Sequence, residues 1–127
     1  MSTVSDAVAT PFACQDDEGV VHTQVVKSRA IRCALSRICG VCGEVLTRPI
    51  AFLGPEDEAL DGLFRFPPTH VTCAHDAISS GAPLGQAAAP RRWMVVTTGG
   101  FDLVRPTRRG GPVQFRPNSV LETIVAE

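Results

Sequence analysis

The sequence predicts a small single domain of the α+β class, and three observations carry that prediction. Two pairs of soft ligands, Cys39-Gly40-Val41-Cys42 and His70-Val71-Thr72-Cys73, stand on either side of a segment long enough for a hairpin. A helical stripe precedes the first pair: Ile31, Ala34, Leu35 and Ile38 fall at i, i+3, i+4 and i+7. After the second pair, Trp93 to Thr98, then Gly99-Gly100, then Phe101 to Arg105 read as a β-hairpin.

Size and charge bound the rest. A chain of 127 residues is one domain by length, with a core modest enough to gain from a metal staple. With 44% hydrophobic and 20% charged residues it has the composition of a folded globular chain, not a disordered one. A net charge of -1 supplies no whole-molecule attraction to nucleic acid or membrane. Met1 to Thr10 carries neither a basic start nor an apolar run, so a cytoplasmic setting is expected, where cysteines serve more often as ligands than as bridges.

In chain order, the first ten residues are expected to be loose, and Asp16-Asp17-Glu18-Gly19 to make a turn. Gly19 to Val26 is rich in β-branched residues and reads as a strand, with His22 within it a surface or packing residue and not a ligand. Ser28 to Ile38 is the helix, its arginines 29, 32 and 37 and Cys33 lying off the apolar stripe. Pro49 to Leu53 and Leu63 to Phe66 read as the two strands of a hairpin, joined by an acidic loop from Gly54 to Gly62. Pro67-Pro68 ends that ladder, Thr69 is the expected N-cap of a second helix, and Gly81 its stop. Gly81 to Pro90 looks like a linker. After the Gly-Gly hairpin, Val113-Gln114-Phe115 adds a short strand. Ser119 with Glu122 three later then reads as a capping box opening a final helix, Leu121, Ile124 and Val125 inward. On this reading residues 28–81 are a zinc-binding core and residues 91–127 a hairpin and short C-terminal helix.

The ligand pairs carry the chemistry. Two Cys or His pairs, each with two intervening residues, have the spacing of a closed tetrahedral zinc site. Gly40 and Gly43 allow the first pair to turn tightly, and residues three apart on one helix face let His70 and Cys73 reach a common point. A redox dithiol at Cys39 and Cys42 is the competing reading, but no βαβ pattern surrounds it. Cys14 and Cys33 are left over, as a possible bridge or as free thiols. His75 is a candidate substitute ligand, and Asp76 a candidate partner for the free nitrogen of a ligand histidine.

Through Cys39, Cys42, His70 and Cys73, the span from about Ile38 to Gly81 resembles the treble-clef zinc fingers, in which a knuckle, a hairpin and a helix hold one structural ion. The chain is also similar to small uncharacterised zinc-binding proteins of actinobacteria and their phages, a likeness that implies no activity. The treble-clef resemblance implies a structural Zn2+, and it spans functions of many kinds. Three readings follow. The first is a non-enzymatic interaction module, or adaptor, with a protein partner. The second is a nucleic-acid-binding regulator using Arg91, Arg92, Arg105, Arg108 and Arg109, with Arg116 and the aromatic Trp93 and Phe101 near them in sequence. The third is a diverged HNH-like nuclease, although the Asp-His pair and following asparagine and histidine of that family are missing here. No nucleophile-and-base constellation is visible, which points away from an enzyme.

Overall fold

In a computed structural model of the chain, residues 11–81, 84–86 and 90–126 are described; the expected loose start lies outside them. After a 3-10 turn at Phe12–Cys14 come helix α1 (Lys27–Ser36), strand β1 (Ile50–Pro55) and helix α2 (Glu56–Asp61). Strand β2 (Thr69–His70) runs into helix α3 (Val71–Ser80), and strands β3 (Trp93–Thr98), β4 (Phe101–Val104), β5 (Gln114–Pro117) and β6 (Val120–Ala126) follow. The strands form one antiparallel sheet in the order β2-β1-β3-β6 and a separate pair, β4-β5. The class is α+β, as expected from the sequence.

Strand β1 is the axis of the packing. Its run Ile-Ala-Phe-Leu-Gly is buried throughout, because the two faces of the strand feed two different cores. Ala51 and Leu53 point into a cluster with Val95, Phe66, Ala13, Cys14, Leu84 and the α3 residues Ala74 and Ala77. Ile50 and Phe52 point the other way, to Val96, Phe64, Phe115, Val113 and Ala30 of α1. Phe52 is central there: its ring lies 5.6 Å from those of Phe64 and Phe101 and 6.1 Å from that of Phe115, stacked on the first and edge-on to the second. A single β-bridge, Phe64 to Phe115, hooks the β4-β5 pair to this aromatic group.

Several sequence expectations change. Residues 19–26 form no strand; Val21 makes one isolated bridge to Gln15, and the turn at Asp16 is held by its own carboxylate accepting from the amides of Glu18 and Val20. Residues 63–66 do not pair with β1, whose neighbours are β2 and β3, and the acidic loop contains α2. Glu56, Asp57 and Glu58 sit in its first turn, where the helix dipole favours carboxylates.

Helix α1 ends at Ser36 because Arg37 is left-handed (φ 53°), and Ile38 goes into a bridge with Val45. It is also turned relative to the expected stripe: Ala30 and Cys33 are buried while Leu35 is 68% exposed. Small side chains let the helix approach closely. Arg29, counted on the polar side, lies over the Phe12 ring at 4.2 Å and donates to the carbonyls of Phe12 and Asp16.

The C-terminal third differs most. The two strands flanking Gly99-Gly100 exist but do not pair with each other: β3 joins β1 and β6, and β4 joins β5. The glycines carry the chain from one sheet to the other, fastened by the Thr98 hydroxyl, which donates to the Gly100 carbonyl (2.7 Å) and accepts from the Gly100 and Ser119 amides. The expected final helix is strand β6. Ser119 is engaged with Thr98 and Asn118 and caps nothing, and the β-branched run Thr123-Ile124-Val125 pairs with β3. Leu121 and Val125 are therefore exposed, and of the three residues expected inward only Ile124 packs against the core. Leu84, within the expected linker, is 1% exposed and belongs to the α3-side core.

Phe52→Ala would remove the side chain around which the aromatic group closes. We expect a loss of about 3–5 kcal/mol, a large fraction of the stability of a typical domain. Denaturant titration of the variant, with the slope of the transition compared to the parent, checks it.

Candidate metal centre

The knuckle is built by the backbone before any metal is considered. Cys39 N–H donates to Glu44 O at 2.8 Å, Gly43 N–H to Cys39 O at 2.9 Å and Leu46 N–H to Arg37 O at 2.8 Å, closing a narrow hairpin around the Ile38–Val45 bridge. Gly43 sits at φ +78° against the Phe12 ring. At Gly40 a Cβ would lie 3.0 Å from Cε2 of Phe66 and 3.1 Å from Cβ of Pro67, so only glycine lets the knuckle lie this close to the segment before β2. The Gly40 amide donates to Pro68 O at 2.8 Å, and the Phe12 and Ala13 amides donate to Val41 O and Gly40 O. Knuckle, N-terminal turn and β2 approach are thus stitched together by main-chain bonds.

The other two donors come from the β2–α3 junction. His70 ends β2, opposite Ile50 of β1, and is itself the N-cap residue of α3. Thr69, expected in that role, is buried one residue earlier with its hydroxyl donating to Ala51 O at 3.1 Å. Cys73 is the third residue of the helix, and Gly81 closes the helix at φ 75° as expected.

These elements bring Cys39 Sγ, Cys42 Sγ, a His70 ring nitrogen and Cys73 Sγ within 4.8 Å of one another, a group that could hold a metal ion. Cys39 is buried and accepts from three amides, those of Val41, Cys42 and His70, each at 3.4 Å. The imidazole is oriented by its far side: Nε2 lies 2.9 Å from the carbonyl oxygen of Val45. A carbonyl only accepts, so Nε2 is the donor there and Nδ1 is the ring nitrogen that faces the sulfurs, 3.5 Å from Cys42 and 3.6 Å from Cys73. Burial first, and the neighbouring sulfurs of Cys39 and Cys42 next, push the Cys73 thiol up to about 12; burial leads in raising Cys42 as well, with Cys39 adding to it. Sulfurs this close oppose each other's ionisation, and a cation among them reverses that.

The remaining candidates lie elsewhere. His75 is half-buried on α3 but outside the cluster, and Asp76 is exposed and does not hold His70; the Val45 carbonyl does. No sequence signal marks a main-chain carbonyl for that role. His22 is exposed and paired with Asp16 at 3.0 Å, drawing the Asp16 carboxyl below its ordinary value. Cys14 and Cys33 are buried free thiols, raised by burial to about 11 and about 12. Arg91 and Arg92 stand before β3, beside Glu56 and Asp57, and Arg92 pairs with Glu56 at 3.7 Å. Arg105, Arg108 and Arg109 are exposed on the connection between β4 and β5, and Arg116 is exposed on β5. No helix among the described residues is long and apolar enough to cross a membrane. No protein-family model, curated protein or solved structure matches the chain.

Gly40→Ala tests the close approach of the knuckle. With Phe66 and Pro67 both held in packed positions, we expect a loss of about 1–3 kcal/mol from the overpacking and weakened metal retention. Thermal unfolding with and without a chelator measures both.

Proposed function

We propose that Cys39, Cys42, His70 and Cys73 bind a single structural zinc ion, in an arrangement like that of a treble clef, and that the chain acts as a non-enzymatic interaction module. The observation that carries the metal reading is the spacing of the donors. Zn–S bonds of about 2.3 Å and a Zn–N bond of about 2.05 Å, meeting at a tetrahedral angle, hold sulfur and nitrogen about 3.6 Å apart. The His70 Nδ1 distances to Cys42 and Cys73 are 3.5 and 3.6 Å. Three thiolates and one imidazole also suit zinc's preference for soft donors, whereas calcium and magnesium take oxygen.

The treble-clef reading is supported by the order of parts: the hairpin around Ile38 and Val45 carries the first pair, and the start of α3 the second. The structural role is supported by the donor count. Four protein donors complete a tetrahedron and leave no position for a water or substrate. The nucleic-acid alternative is weakened at Arg91 and Arg92, where neighbouring carboxylates oppose a phosphate, and narrows to Arg105, Arg108 and Arg109.

Elemental analysis of the purified chain is expected to give one zinc per molecule, and cobalt(II) substitution a tetrahedral, thiolate-rich visible spectrum. Cys39→Ser should lose the metal and unfold the knuckle and α3. A Cys39→Ser protein that is folded and metal-free at the parent's stability would refute the reading. Because thiol protons must leave as the ion binds, apparent zinc affinity should fall at least about a hundredfold per unit of pH below neutrality, two or more protons being exchanged. Competition with a metal indicator at three pH values measures that slope.

A further inference from the structure

The two edges of the main sheet are treated differently. At one edge, β2 is two residues long, preceded by Pro67-Pro68, followed directly by α3 and covered by the knuckle through the bond from Gly40 to Pro68. At the other edge, β6 is seven residues long and, among the described residues, no strand flanks its outer side. Edge strands are commonly protected by lysine, proline or a covering element. Residues 120–126 contain neither lysine nor proline, and their one charge is Glu122. Val120, Leu121 and Val125 are 55%, 67% and 43% exposed.

The direction of the open amides can be traced across the sheet. The Thr69 hydroxyl donates to the Ala51 carbonyl, so Ala51 points its main-chain groups at β2. Successive residues of a strand point alternately to opposite sides. Phe52 therefore faces β3, its partner Val96 faces back, and Val95 and Thr97 face β6. Their partners Ile124 and Glu122 face β3 in return, in agreement with the Thr97 hydroxyl donating to the Glu122 carbonyl at 3.4 Å. Thr123 and Val125 then direct N–H and C=O outward. The register shift between Thr97 and Thr98 lies toward Leu121, so the regular free edge is 122–126.

We propose that this edge pairs antiparallel with the same edge of a second copy, about a two-fold axis through Ile124, to make a closed dimer with one continuous eight-stranded sheet. The strand is its own complement in that register. Thr123 lies opposite the second copy's Val125, so the residues with outward amides meet each other, and Glu122 lies opposite Ala126, so no like charges are paired. The exposed Val125 is covered twice. A head-to-tail filament is excluded because the opposite edge is too short and is already covered, which leaves the isologous arrangement. A single strand pair buries less than a standard interface, so the dimer is expected to dissociate on dilution.

Sedimentation velocity of the metal-containing full chain, from about 10 µM to about 1 mM, should show a monomer–dimer equilibrium in the range where small interfaces associate. Val125→Lys places a charge on the edge, and Thr123→Pro removes an outward donor. Each should weaken dimerisation at least tenfold while circular dichroism and metal content stay unchanged. If the proline variant is unfolded, the lysine variant alone decides. An oxidised equimolar mixture of Thr123→Cys and Val125→Cys should give a covalent dimer mapped to those two positions, and neither variant alone should. A wild-type chain that is monomeric throughout the range, a dimer that survives Val125→Lys, or a dimer lacking the mixed bridge would overturn the proposal. None of these readouts depends on which metal the cluster holds.

Discussion

The pairing of Ile50 with His70 joins the Cys3His cluster to the sheet. One residue does three things at that point: its main chain ends β2, the same main chain opens α3, and its imidazole turns into the group of sulfurs. The amide of His70 also donates to Cys39 Sγ, so the buried sulfur of the knuckle is tied to the strand edge whatever occupies the centre. The position of the cluster is therefore fixed by β1, and β1 in turn is fixed by the cores on its two faces.

That arrangement explains why so short a chain can bury a strand on both sides. Each core is thin. One is closed by α3, the N-terminal turn and Leu84; the other by α1, Phe64 and the β4-β5 pair. Neither layer is continuous, and the N-terminal turn in particular contributes only Ala13 and Cys14 to the buried cluster. Its place is held by the Phe12 and Ala13 amides on Val41 and Gly40, which are residues of the knuckle. An ion drawing Cys39 and Cys42 toward His70 and Cys73 would thereby tighten the α3-side core as well as its own ligands. The folding free energy of structural zinc, on the order of 10 kcal/mol or more in small fingers, then acts on more than the four side chains that touch it.

How much of this was legible in the sequence follows from the range of the interactions. The Cys3His cluster could be read because its spacing is local: Cys-x-x-Cys and His-x-x-Cys are each set by one turn of chain. The stop of α3 at Gly81 and the strand at 93–98 are local in the same sense. Pairing was not legible. Trp93 to Val104 looks like a hairpin because Gly99-Gly100 suits a tight turn, yet β3 is taken by β1 and β6. The capping-box pattern at Ser119 failed for a related reason: Ser119 could cap a helix, but its amide is held by Thr98, 21 residues earlier, and β3 has an open side that a strand can fill. Helix α1 was placed correctly but turned: Ile31 and Ala34 of the expected stripe do pack against the core, whereas Leu35 is exposed and the small Ala30 and Cys33 take the buried positions.

A sheet with one edge sealed and the other free of any further strand among the described residues has a definite polarity. The sealed edge is where the chain spends its special residues: two prolines, glycines at 40 and 43, three cysteines and a histidine, all within or beside β2 and the knuckle. The free edge is spelled almost wholly in aliphatic and β-branched residues, the composition of an internal strand. Four strands with an outer edge of that composition are what half of a larger sheet would look like. The aromatic group around Phe52 lies on the face that Val125 shares, since Met94 pairs with Val125 and Val96 with Thr123. Extension of the sheet past β6 would therefore continue that apolar face, whereas extension past β2 is blocked by the knuckle that gives the cluster its shape.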